Sequence, residues 1–273
     1  LGGFLQATLR PTNTLTLVGG VRRDRFDYDV EPYDVVFGAP GLRPGGQGRA
    51  TGTSWNIGAT LEYLPGRNVF ASYAQGFSIP ELGFAANSIR PGVPISGSNF
   101  VAPIKVESFE AGVRGGRSTV RYALSGFYAR SDNGASASVN PATGIAELIR
   151  APQRNYGLEA SIDVSPSSRF DAGLAVAWTD GENDANNDGV FLPLGSLQIP
   201  PLTISVTSSW RPVERLEFTG QLLFAGDRDR ARRTRVDSFE ISSYATLDLG
   251  ASYRTGFGVF SLFVNNVLND FYL

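Results

Sequence analysis

The chain has 273 residues, a formal net charge of -2 and neither cysteine nor histidine. That excludes disulfides, thiolate and imidazole metal sites, cysteine nucleophiles and the usual general base; Ser-Lys, carboxylate-pair and Tyr-based chemistries need neither residue and stay open, but the expectation is no enzyme, metal or cofactor. The near-neutral charge offers no field for nucleic acid, and no stretch approaches the roughly 18 apolar residues of a membrane-crossing helix. With 32 glycines and only 18% charged residues, the composition fits turns and amphipathic strands, which makes all-β the leading class. The length alone allows one large domain or two ordinary ones. A chain opening on Leu1 and holding no methionine reads as a piece of a larger precursor.

In chain order the dominant signal is period two. Trp55, Ile57, Ala59, Leu61 and Tyr63 alternate with Asn56, Gly58, Thr60 and Glu62. Tyr156, Leu158, Ala160, Ile162 and Val164 alternate with Gly157, Glu159, Ser161 and Asp163, and Phe170 through Trp178 repeats the pattern. Leu202, Ile204, Val206 and Trp210 share a face, as do Leu216, Phe218, Leu222 and Phe224, and then Ala245, Leu247, Leu249, Ala251 and Tyr253. Each run holds roughly 9 to 11 alternating residues, the length a tilted strand needs to cross hydrocarbon, whereas sandwich strands are usually about five or six residues long.

Connections alternate in length. Tight turns fall near 11–14, 65–68, 115–118, 166–169, 212–215 and 255–258; long segments run over 31–51, 78–104, 131–152, 181–199 and 227–243. Outer-membrane barrels have this asymmetry, with short periplasmic turns and long external loops. Trp55 and Trp178 adjoin long loops while Tyr63, Trp210 and Tyr253 adjoin tight turns, which predicts two aromatic girdles. The expectation is an antiparallel up-and-down transmembrane β-barrel of about twelve strands.

Several segments resemble one family. ASYAQGFSIPEL (71–82) resembles a strand ending Tyr-x-x-Gly-Phe-x-x-Pro, and VESFEAGVRGG (106–116) an E-x-x-E-x-G strand. NYGLEASIDVSP (155–166) is similar to a Gly-x-Glu strand, and YATLDLGASYR with VNNVLNDFYL to a C-terminal pair ending Asn-Leu-x-Asp-x-x-Tyr. Together these resemble TonB-dependent outer-membrane receptors of the ferric siderophore type. The resemblance implies a barrel of twenty-two strands around an N-terminal plug. It makes residues 1–273 one barrel segment of a bacterial outer-membrane receptor, with the plug and the final strand outside it. It further implies a ferric siderophore bound by external loops, import energised by the TonB complex through the plug, and contact with outer-membrane lipid and lipopolysaccharide. A passive porin, or a TonB-dependent importer of cobalamin, haem or carbohydrate, stands as the alternative.

The candidate ligand residues lie in the long segments. DRDRARRTR places Arg228, Arg230, Arg232, Arg233 and Arg235 together, where guanidinium groups suit carboxylate, catecholate or phosphate oxygens. The competing reading is a solvated loop or contact with lipopolysaccharide phosphates. Tyr28, Tyr33 and Phe37, with Phe84 and Phe100, offer an aromatic ligand surface. Asp184, Asn186, Asp188 and Gly189 open like a calcium loop, but Gly195 stands where the closing Glu belongs, so an Asx-rich turn is expected. Asp27 and Asp29 share a strand face and are expected at the rim of the lumen.

Overall fold

In the computed structural model the described residues are 1–34, 41–79, 86, 89, 91–96, 103–139, 146–195, 198–229 and 241–271, with backbone alone described at 135–139 and 146–150. They form one antiparallel sheet of thirteen strands. These are β1 (Gly2–Leu9), β2 (Leu15–Val30), β3 (Gly46–Leu64), β4 (Arg67–Ser78), β5 (Ile104–Arg117), β6 (Val120–Val139) and β7 (Ala146–Ser167). The chain continues with β8 (Phe170–Asn183), β9 (Leu192–Pro193), β10 (Thr203–Val213), β11 (Leu216–Ala225), β12 (Tyr244–Arg254) and β13 (Val259–Val264). Twelve strands follow one another in chain order, each bonded to its predecessor and successor; the two-residue β9 pairs with β8 beyond the end of β10. The expected count and the up-and-down order both hold.

Register turns the alternation into continuous surfaces. Leu15, Leu61, Val69, Val113, Leu124, Ala160, Val176, Ile204 and Phe224 are cross-strand neighbours in one unbroken row from β2 to β11. The adjacent row on the other face begins Glu62, Asn68, Arg114, Ala123, Ser161, Ala175 and Ser205. Because the side-chain period is two, a slip of one residue would exchange these faces, so the register is specified by which solvent each face meets. The polar face is the concave one: Ala123, Ser125, Glu159, Ser161, Ala175 and Thr203 line an open hollow of about 290 Å³. The apolar face points outward with nothing over it, leaving Ile57 57% and Leu158 55% exposed. In water, at roughly 25 cal/mol per Å² of apolar area, such rows would be a large uncompensated cost; a lipid bilayer removes it.

Both aromatic girdles are present. At the long-loop end Trp55, Tyr73 and Phe109 pack in series as tilted rings at 4.6 and 4.5 Å, and Tyr156 lies 6.0 Å from Trp178. At the tight-turn end Trp210 stacks on Phe218 at 5.7 Å. Small residues let rings lie flat on the inner face. A Cβ on Gly157 would stand 2.7 Å from the Phe127 ring, and Gly112 has the same relation to Phe70. Inner charges are tied across strands: Arg211 reaches Asp171 and Glu217, each at 3.0 Å.

The tight turns lie where alternation breaks. At 65–66 the turn residue Gly66 has φ 72, and the Glu62 carboxylate accepts its N–H at 2.8 Å. One turn differs from expectation, since β5 runs on through Arg117 and reverses at 118–119. A larger difference concerns 131–152, read as a long loop: β6 and β7 continue through most of it as a paired hairpin, past a bulge between Ser131 and Gly134. Above the bilayer the outward face no longer needs apolar side chains, so a strand there carries no period-two signal.

Candidate functional site

The long-loop end of the sheet carries the candidate residues, and three local structures organise what is described of it. The first joins the β2–β3 and β4–β5 connections. Tyr33 and Arg43 exchange backbone hydrogen bonds at 3.0 and 2.8 Å, closing the base of the first connection. Arg43, only 2% exposed, then donates from Nε to the Ile89 carbonyl at 2.7 Å and from Nη1 to the Gly41 carbonyl at 2.8 Å. Tyr33 Oη donates to the Ala86 carbonyl at 2.6 Å. Buried Ile89 and Ile95 pack against Tyr28, Val30, Tyr33, Ile79 and Ala86. Tyr28 and Tyr33, read from sequence as ligand-facing rings, thus serve a small apolar core that makes two external connections one body.

The second structure is the segment after β8. Asp184 accepts the Asp188 and Gly189 N–H groups at 3.0 and 2.9 Å, and Asp188 accepts that of Val190 at 2.9 Å. This is the Asx-rich turn expected, with Asn187 and Gly189 at positive φ of 54 and 86. The Asp184 carboxylate is buried and occupied by backbone amides.

The third structure overturns the setting expected for one arginine. Arg228 is not in a solvated loop: it is 8% exposed and donates from Nη2 to Asp180 Oδ1 at 2.9 Å. The same Asp180 oxygen accepts the Gly181 N–H at 2.8 Å. Arg228 and Ile241 also exchange backbone hydrogen bonds at 2.8 and 3.2 Å, so the β11–β12 connection is closed at its root and fastened to β8. A buried pair of this kind requires both partners, because removing either leaves an uncompensated charge. Arg230, Arg232, Arg233 and Arg235, with Phe37, Phe84 and Phe100, lie outside the described residues.

Asp27 and Asp29 also change place. The unbroken β2–β3 register puts them on the face of Leu17 and Val21, outward and above the girdle rather than at the lumen rim. Asp27 accepts from Arg25 Nε at 2.9 Å and Arg49 Nε at 2.7 Å. These two guanidinium groups draw its carboxyl from the usual 3.8 to about 2. Further round the same level, Arg130 pairs with Glu107 at 2.7 Å, and Arg154 pairs with Glu182 while lying 4.2 Å from the Phe191 ring. Sequence reasoning singled out neither Arg43 nor Asp180. A lone arginine or aspartate carries no local pattern, and their partners stand 46 and 48 residues away.

An antiparallel up-and-down sheet with lipid-facing apolar rows, two girdles and all its long connections at one end is the wall of an outer-membrane β-barrel. A family model described as TonB dependent receptor-like, beta-barrel, matches residues 1–267, and the chain belongs to that family. It is therefore a bacterial outer-membrane segment of a receptor family. It is 27% identical to the rhizobactin receptor of Rhizobium meliloti (strain 1021), across 93% of this chain and 35% of that protein. It is 24% identical to the ferric aerobactin receptor of Escherichia coli, across 100% of this chain and 38% of that protein. The chain spans little more than a third of these curated relatives. Among solved structures, the copper transporter OprC superposes over 99% of this chain and 42% of its own, with TM-score 0.81 and 16% identity. The ferric yersiniabactin uptake receptor FyuA from Yersinia pestis does so over 98% and 40%, with TM-score 0.76 and 14% identity.

Proposed function

We propose that the protein containing this chain imports a ferric siderophore across the outer membrane, with external connections binding the ligand and the TonB complex energising passage through a plug. The observation that carries the reading is likeness along nearly the whole chain to receptors named for rhizobactin and ferric aerobactin. In this reading the pinned β11–β12 connection presents Arg230, Arg232, Arg233 and Arg235 to an anionic complex, and bidentate guanidinium contacts supply its affinity. Phe84 and Phe100 are proposed as aromatic ligand contacts, with Tyr28 and Tyr33 supporting the connections from the apolar core beneath them. The Gly-, Ala- and Ser-rich concave face leaves bore for the plug. Outer-leaflet lipopolysaccharide is the proposed neighbour of the outward rim.

The test is radioactive iron uptake by iron-starved cells carrying the full-length receptor, supplied with purified ferric siderophores of the citrate-hydroxamate, catecholate and mixed classes. Saturable uptake of one class that vanishes without TonB is the expected result. Uptake that is unsaturable and independent of TonB overturns the reading in favour of a passive channel. Replacing Arg230, Arg232, Arg233 and Arg235 together with Gln should weaken ligand binding about tenfold or more, on loss of charge-assisted hydrogen bonds.

A further inference from the structure

The outward face of β2 and β3 changes character rung by rung. Their register is unbroken from Leu15–Leu61 to Val30–Gly46, so the outward pairs are, in order away from the bilayer centre, Val21–Trp55, Arg23–Thr53, Arg25–Thr51, Asp27–Arg49 and Asp29–Gln47. The first belongs to the girdle, with Trp55 packed against Tyr73. The next two rungs carry cations and hydroxyls alone. Carboxylates begin only at the fourth rung, where Asp27 is already held by Arg25 and Arg49, and at the fifth, where Asp29 accepts from Gln47 at 2.7 Å.

Arg23 stands apart from the other outward arginines described at this level. Arg130 and Arg154 each meet a glutamate, and Arg25 and Arg49 meet Asp27. The Arg23 guanidinium has no ion-pair partner among the described residues. Its neighbour on β1 is Gly3, which carries no side chain to pair with or cover the guanidinium. The other side offers the Thr53 hydroxyl. Successive rungs on one face are about 6.6 to 6.8 Å apart, so Arg23, Arg25, Thr51 and Thr53 bracket an area the size of one phosphate group. An exposed arginine here is cheap, since the cost of charge on a barrel exterior becomes small near the interface.

We infer that Arg23, with Arg25, Thr51 and Thr53, forms a site for a phosphate of the outer-leaflet lipopolysaccharide. The outer leaflet places phosphates directly above its acyl chains, the level that lies just beyond the Val21–Trp55 rung. Guanidinium takes phosphate bidentately and threonine hydroxyls complete the set. The site rests on the reading of this rim as headgroup-level, and it adds a defined lipid contact to a receptor wall otherwise held by apolar area.

The full-length receptor, purified from outer membranes in mild detergent, is assayed by native mass spectrometry for retained phosphorylated lipopolysaccharide. Arg23→Gln with Thr53→Ala should retain about tenfold less than the parent, Arg23→Lys an intermediate amount, and Arg154→Gln the parental amount. Loss of heat stabilisation when dephosphorylated lipid replaces the phosphorylated form supports the site; equal stabilisation by inorganic phosphate overturns the lipid as its occupant. Equal retention by parent and Arg23→Gln/Thr53→Ala, or equal loss in Arg154→Gln, overturns it as well. Quenching of Trp55 by brominated lipid separates the two readings. If Trp55 is quenched and retention is unchanged, only this site falls; if Trp55 is not quenched, the headgroup-level rim falls first.

Discussion

At the scale of single residues, the buried Asp180–Arg228 pair has a sharp consequence. Arg228→Met removes one charge and strands the other, a loss of about 3–5 kcal/mol for a buried pair, whereas exchanging both partners for apolar residues of similar volume is close to neutral. Limited proteolysis of the receptor in detergent should therefore show faster cleavage within 226–243 for Arg228→Met and near-parental cleavage for Arg228→Met with Asp180→Leu. Equal protection of the single variant would remove the pin from its role. Asp27 makes a pH prediction. Its folded value of about 2 lies below the usual 3.8, so the rim stabilisation it provides is complete above about pH 4 and is lost as pH falls through about 2. Carboxyl chemical shifts in the receptor should place its titration near 2, and Arg49→Gln should move that titration upward; an unmoved titration contradicts the assigned cause.

At the scale of the strand, neighbouring positions meet different solvents. Leu174 belongs to the outward set with Ile162 and Val206 as cross-strand neighbours, while Ala175 faces the hollow between Ser161 and Ser205. Leu174→Arg should cost about 2–4 kcal/mol near the bilayer midplane and impair insertion, and Ala175→Ser should be tolerated. Heat-modifiability on gels would measure both; equal tolerance would reverse the faces. This alternation was readable in the amino-acid string because hydrocarbon imposes it at every second residue. The continuation of β6 and β7 past Ser131 was not readable, for the same reason turned round: above the headgroups Arg130 and Arg154 can face outward, so nothing marks the strand. Asp27 and Asp29 were placed at the lumen rim by the same error, a polar outward face taken for an inward one. The burial of Arg228 was hidden differently, since an arginine in DRDRARRTR looks solvated until its distant partner is known.

At the scale of the whole molecule, the sheet has two outer edges, the free sides of β1 and β13. Unpaired backbone in lipid costs several kcal/mol per group, so these edges need partners in the membrane. The curated relatives extend well beyond the matched span. Within the span, one end of the wall is built of short reversals and the other of long connections, two of which share the Arg43-centred core.

The root closure at Arg228 and Ile241 lets the intervening residues evolve as an exchangeable cartridge. Insertions, deletions or new side chains between those two positions leave the strand ladder on either side untouched, because the backbone crossing is already sealed beneath them. The connection above that seal can change in length or sequence without re-folding the wall that bears it.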